Sequence, residues 1–250
     1  MSVMRAELTK FRSVSSTAWS LLSALALIIG FGILYAMVRV TRPPADPTGF
    51  DAVSVSLSGV QVAQLAVGVL GVLMITNEYT SGLIRTTFAA VPRRSRVLRG
   101  KAAVLSVAIF TLCLPAVFGA FLTGQSVLSA EHLDVSLGEP GVARAVIGAA
   151  LYLTVVAVIG LGLGAVLRRT AGGVAAVIGI LFGPQMLAGF LPAGPADDIY
   201  PWLPSPAGLA ITSTRPDSTL LSPWAGFAVF VLYAAGLLAV AAWRLRRSDA

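Results

Sequence analysis

Few residues in this 250-residue chain could do chemistry, and most of them are basic. Residues 77–101, NEYTSGLIRTTFAAVPRRSRVLRGK, hold six of the 18 Arg and Lys residues against a single acid, Glu78. Clustered cationic side chains suit contact with lipid phosphates or with a partner protein. A lone carboxylate near the start of a helix can stabilise its N-terminus. The segment is therefore a candidate interaction surface rather than a catalytic centre.

The other reactive residue types are sparse. Cys113 is the sole cysteine, which excludes a disulfide within the chain and a cysteine-based metal site. His132 is the sole histidine and falls in a predicted loop, where an ordinary solvated role is expected. The sequence has no G-x-x-x-x-G-K-[ST] phosphate-binding loop. It also has no His/Glu cluster suited to a metal, so we expect no cofactor in this chain.

Inside the predicted apolar segments, the candidate polar groups are the amides of Gln61, Gln64 and Gln185. A proton-coupled transporter usually carries an intramembrane acid, so the lack of Asp, Glu and Lys there disfavours an ion- or proton-driven pump. An intramembrane enzyme is disfavoured because it needs polar catalytic groups at depth. The three amides could line a substrate path or form interhelical hydrogen bonds, and the sequence leaves both roles open.

Composition defines the class of protein that must position these groups. The chain is 56% apolar and only 12% charged, with a mean hydropathy of +0.86. A soluble domain carries about 25% charged residues, so this chain is too poor in charge to cover a water-exposed surface. We therefore predict an all-α integral membrane protein forming a single domain, with no large soluble domain beside its spans.

Hydropathy predicts six transmembrane helices. The predicted spans are about 18–38, 55–76, 102–124, 142–167, 174–191 and 224–243. Residues 3–16 favour a helix lying in the membrane interface, although a frayed basic tail is the alternative. The proline-rich residues 192–222 are too broken to span, and they favour short helices or a re-entrant segment in the outer leaflet. The glycines at 160–164 and 179–183 are typical of close helix packing.

Charge predicts the orientation of these spans. Fourteen of the 18 Arg and Lys residues fall in segments 1–17, 77–101, 168–173 and 244–250. Positive charge collects on the cytoplasmic side of a membrane protein, so both termini and residues 77–101 are expected there. The net charge of +7 is explained as an orientation signal and a lipid-headgroup contact, which removes the need for a nucleic-acid partner.

Residues 77–101 also carry a helical pattern. Leu83, Ile84, Thr87, Phe88 and Val91 recur at helical spacing, and Pro92 is expected to end the helix. We interpret the segment as a short amphipathic helix against the cytoplasmic face, followed by basic residues 93–101 that lead into the third span. The alternative is a topogenic basic loop with no partner.

Three features together resemble a known family. The run EYTSGLIRTTFAAVPRR follows the second of six spans, AELTKFRS precedes a Trp-bearing first span, and a Pro/Trp-rich segment lies between spans five and six. The whole chain is similar to the membrane subunit of ABC exporters, specifically the ABC-2 type permease family in its actinobacterial branch.

The resemblance implies that residues 77–101 contain a coupling helix, which docks in a groove of a separate ATPase subunit. The positions matched are Glu78, Gly82, Leu83, Arg85, Thr86, Phe88 and Pro92, with Arg93, Arg94 and Arg96 in a more variable basic continuation. Glu7, Lys10 and Phe11 are similar to a family element near the ATPase. ATP and Mg would be bound by that partner, since no nucleotide domain is fused here.

The resemblance further implies a pair of permease subunits, either two copies or two related chains, in the bacterial cytoplasmic membrane. The expected cargo is a hydrophobic drug, antibiotic, peptide or lipid. The alternative from another class is a non-transporting membrane scaffold or sensor that uses the same helix to hold a cytoplasmic partner.

Overall fold

The computed structural model describes residues 15–42, 50–90, 94–190, 192, 194–215 and 219–247. Side chains are described for these except at 15–18, 20, 85, 88–90, 94 and 195. The described residues form helices and no strand. The α-helices are Ser15–Thr41 (α1), Ala52–Ser56 (α2), Gly59–Thr80 (α3), Leu83–Ala90 (α4), Arg94–Leu128 (α5), Val142–Leu167 (α6), Thr170–Ala188 (α7), Pro195–Ile199 (α8), Pro204–Leu209 (α9) and Pro223–Arg247 (α10).

Six of the helices in the described ranges are long and apolar enough to cross a membrane, namely α1, α3, α5, α6, α7 and α10. This makes the chain a multi-pass membrane protein and confirms the predicted number and order of spans. The predicted interfacial helix at residues 3–16 falls almost wholly outside the described residues.

Several predicted span boundaries differ from the helix ends, as at the second and third spans. The second span begins at Gly59 instead of residue 55, because residues 52–56 form a separate short helix, α2, and a turn at Leu57 and Ser58 divides it from α3. Helix α5, which contains the third span, begins at Arg94, eight residues before the predicted start. Its 35 residues extend about 52 Å at 1.5 Å per residue, well beyond a hydrocarbon core of about 30 Å.

Helix α6 is the centre of the bundle. Most of its residues are buried, and α3, α5, α7 and α10 all pack against it. Gly71 of α3 lies against the backbone of Ala157, and Gly160 of α6 lies against the backbone of Gly68, so the two helices approach at main-chain distance. Small residues permit this approach in membranes, as the sequence predicts for 160–164. For Gly179 and Gly183 the packing prediction is wrong among the described residues, because a Cβ there would meet no atom within 4 Å.

This contrast yields a prediction about stability. A methyl group added by Gly71→Ala would overlap the carbonyl oxygen of Ala157, which is backbone and cannot rotate away. We expect the free energy of unfolding in mixed detergent micelles to fall by about 1–3 kcal/mol. The matched control is Gly179→Ala, which adds the same group in open space within a helix and should leave stability unchanged or slightly raised. Equal effects of the two variants would contradict the close crossing.

The proline-rich residues 192–222 form short helices in their described part, which is one of the two predicted alternatives. Helix α9 is buried against α6, α7 and α10, whereas Asp197, Asp198 and Ile199 of α8 are exposed. The Ser205 hydroxyl donates to the carbonyl oxygen of Leu181 at 2.7 Å, which joins α9 to α7. At the same end of the bundle, the Arg144 guanidinium donates to the carbonyl oxygen of Ser213 at 2.6 Å.

Candidate functional site

The candidate site lies at the basic end of the bundle, which we define as residues 76–90, 94–101, 168–170 and 238–247. Contacts within the chain bring these segments together. The Arg168 guanidinium lies 5.6 Å from the ring centre of Tyr79. The Thr170 hydroxyl donates to the Thr76 hydroxyl at 3.0 Å. These contacts join the end of α3 to the α6–α7 turn. Helix α4 packs against α3 and α5, and the C-terminal part of α10 lies beside the start of α5.

A buried ion pair lies directly behind this surface. The Lys101 ammonium donates to Glu78 Oε1 at 2.9 Å, with side chains only 1% and 8% exposed. Both residues differ from their predicted setting. Glu78 is in the last turns of α3, not beyond the span before a helix N-terminus, and Lys101 is inside α5, not among lipid phosphates. The pair joins the end of the second span to the third.

Gly82 makes the turn between α3 and α4. Its φ is +72°, in the left-handed region that glycine adopts without steric cost. The hydroxyls of Thr80 and Ser81 donate to carbonyl oxygens of the preceding turn, the latter to Asn77 at 2.7 Å. These bonds satisfy the end of α3 and let α4 begin at Leu83, only three residues after Thr80.

A short helix, α4, is present within residues 77–101, and its first two residues face differently. Ile84 is 5% exposed and belongs to the bundle core, whereas Leu83 is 52% exposed. Thr86 is exposed and Thr87 is half-buried. Ile84 therefore anchors the helix in the core, and Leu83 is presented outward. The side chains of Arg85 and Phe88, and all of Pro92, lie outside the described residues.

The three predicted path glutamines occupy different settings. Gln64 is buried, accepts a hydrogen bond from the Tyr152 hydroxyl and donates to the carbonyl oxygen of Gln61 at 2.8 Å. The Tyr152 ring stacks on Phe230 with ring centres 5.0 Å apart. Gln64 thus joins α3 to α6 in the manner of the interhelical alternative. Gln61 is exposed, and Gln185 is half-buried with its amide 3.4 Å from the carbonyl oxygen of Leu181.

Gln64 and Gln61 form a natural pair for a test. Gln64→Leu removes the acceptor of the buried Tyr152 hydroxyl, so we expect the free energy of unfolding to fall by about 1 kcal/mol. Gln61→Leu is the control on the same helix, and because Gln61 is exposed its effect should stay within about 0.5 kcal/mol. If Gln64→Leu instead preserved stability and altered cargo transport, a path-lining role would replace the structural one.

Sequence reasoning missed the pairing of Lys101 with Glu78, since it counted Lys101 only as a positive charge. One available signal was that Lys101 is one of only two lysines beside 16 arginines and shares its segment with a lone acid. Within the described residues, no group of three or more His, Cys, Asp and Glu lies together. No family model matches this chain, and no curated protein matches it either.

Proposed function

We propose that this chain is the membrane subunit of an ATP-driven exporter, of the ABC-2 type, and that α4 receives a separate ATPase subunit. The observation that supports this proposal most is the arrangement of α4 at the basic end of the bundle. A short helix presents an exposed apolar residue, Leu83, while its neighbour Ile84 anchors it in the core. Leu83 lies at the end of the bundle where positive charge collects, so a partner that docks there would meet an apolar side chain as well as basic ones.

The proposal explains how movement of a partner could enter the bundle. Helix α4 is joined to α3 through Ser81 and Gly82 alone. One turn before that junction, Glu78 is held to Lys101 of α5. A displacement of α4 is therefore passed to both α3 and α5, and from α3 to α6 through backbone contact at Gly71. Close-packed helices move as rigid bodies, which is the kind of motion that alternates access to a cavity.

In this proposal the basic end faces the cytoplasm, where ATP is available, and α8 and α9 lie towards the outer leaflet. The asymmetry of positive charge supports that orientation and the placement of both termini inside. A re-entrant position for α9 is supported by its burial among α6, α7 and α10. The membrane would be the bacterial cytoplasmic membrane.

ATP and Mg would be bound by the partner, since the P-loop sequence is absent from these 250 residues. Two permease subunits, identical or related, would enclose the substrate path. Gln61 and Gln185 remain candidates for lining it because their side chains are not committed to another helix in the way Gln64 is. The cargo would be a hydrophobic molecule such as a drug, antibiotic, peptide or lipid.

The test is purification of the chain from its own membranes under mild detergent. We expect a P-loop ATPase to co-elute, the complex to hydrolyse ATP and the chain stripped of that partner to hydrolyse none. ATP turnover by the stripped chain would contradict hydrolysis in trans. Co-elution of a different cytoplasmic protein, with no ATPase, would support a scaffold or sensor instead and would overturn the exporter.

A further inference from the structure

A groove opens between the N-terminal part of α5 and the C-terminal part of α10, and none of its lining residues belongs to α4. It encloses about 280 Å³ and is lined by Ser95, Leu98, Arg99, Leu238, Ala242 and Arg246. Small-molecule pockets usually measure about 300–1,000 Å³, so this groove has room for a headgroup rather than for a whole drug-sized molecule.

The lining divides into a cationic and an apolar part. Arg99 and Arg246 are exposed and come from two different helices, so their guanidinium groups can meet one anion from two sides. Arg99 donates its Nε–H to the carbonyl oxygen of Ser95 at 3.4 Å, which leaves its other N–H donors for a ligand. Leu98, Leu238 and Ala242 supply the apolar part.

A second feature places the groove at the level of lipid headgroups. Trp243 follows Ala242 directly on α10, is 55% exposed and lies under the Arg247 guanidinium at 4.5 Å. Exposed tryptophan and arginine near the end of a span are typical of the membrane–water interface. An anionic group reaching Arg99 and Arg246 would therefore have its apolar tail beside α10 and within the bilayer.

We propose that this groove binds one anionic phospholipid, with the phosphate between Arg99 and Arg246 and the first part of an acyl chain along Leu238 and Ala242. Basic sites between transmembrane helices commonly take anionic headgroups. A zwitterionic lipid fits less well because its headgroup also carries a positive charge, which the two arginines would repel. The bound lipid would join α5 to α10 from outside the bundle. This inference rests on the membrane character of the chain and does not depend on the exporter.

The experiment is native mass spectrometry of the full chain released from micelles with added phosphatidylglycerol, phosphatidylcholine or inorganic phosphate. We expect one phosphatidylglycerol molecule to stay bound to the chain at the lowest concentrations of added lipid. Arg99→Gln/Arg246→Gln should weaken its binding by roughly 30-fold, since each arginine near an anionic lipid contributes about 1 kcal/mol, which is roughly fivefold. The matched control, Arg96→Gln/Arg244→Gln, removes two exposed arginines from the same helices outside the groove and should change binding less than about twofold.

A third variant separates a lipid from a free phosphate. Leu238→Trp fills the apolar part while both arginines remain, so it should also weaken phosphatidylglycerol binding. All variants must elute as monodisperse, helical protein, which the exposure of the four arginines favours. Equal loss in the two arginine pairs would show general surface attraction and overturn the site. Equal binding of phosphatidylcholine, or competition by inorganic phosphate that Leu238→Trp does not alter, would overturn the lipid as occupant.

Discussion

Replacing Lys101 by methionine is expected to lower the free energy of unfolding by about 3–5 kcal/mol. Methionine has a similar length but carries no charge, so Glu78 would keep its carboxylate in a setting where its side chain is only 8% exposed. Breaking a buried ion pair from one side is costly because the remaining charge has lost both water and the attraction of the removed ammonium. Denaturation of the purified chain in mixed micelles measures the change.

The double variant Glu78→Met/Lys101→Met is the informative companion. Apolar replacement of a whole buried ion pair is often close to neutral, so the double variant should recover most of the stability lost by Lys101→Met. Arg96→Gln is the control on the same helix, where an exposed charge contributes within about 0.5 kcal/mol. Additive losses in the double variant would show that the two side chains act independently.

The second large effect is expected at the exposed end of α4. Leu83→Asp places a carboxylate at the position proposed to contact an apolar groove of the ATPase. The variant should therefore weaken binding of the ATPase by about 2 kcal/mol or more, which is roughly 30-fold. Folding should be preserved because Leu83 is 52% exposed in the isolated chain. The measurement is the amount of ATPase retained on the affinity-purified chain.

The matched control is Arg169→Gln. Arg169 is exposed in the turn between α6 and α7, at the same basic end, and its replacement lowers the net charge by the same single unit. We expect the control to retain its partner at the level of the unmodified chain. A partner lost equally in both variants would indicate attraction by overall charge, whereas a partner kept in both would remove Leu83 from the interface.

The spans could be predicted because a helix that crosses a membrane needs a long continuous run of apolar residues, and such a run is visible in the sequence. A run such as residues 142–167 is apolar at almost every position, and its ends coincide with the helix Val142–Leu167. The break at Leu57 and Ser58 could not be predicted, because hydropathy does not register a helix end such as that at Leu57, whose N–H donates to the carbonyl oxygen of Val53. Local hydrogen bonding, not hydropathy, decides that boundary.

The candidate site could be predicted only as far as local signals reach. Helical spacing after position 82 indicated α4, because periodicity acts within a few residues. The pairing of Glu78 with Lys101 spans 23 positions and depends on how α3 and α5 meet. Likewise, neighbouring residues Leu83 and Ile84 are equally apolar, and only packing against the bundle makes one buried and the other exposed.

The central claim is that α4 contacts an ATPase, and photo-cross-linking from position 83 in intact cells tests it most directly. A photoreactive amino acid at Leu83 should form a covalent product with a soluble P-loop ATPase identified by mass spectrometry. The same group at Leu122, an exposed position on the surface of α5, should not. Cross-links from position 83 to lipid alone, or to a protein on the extracellular side of the membrane, would contradict the account.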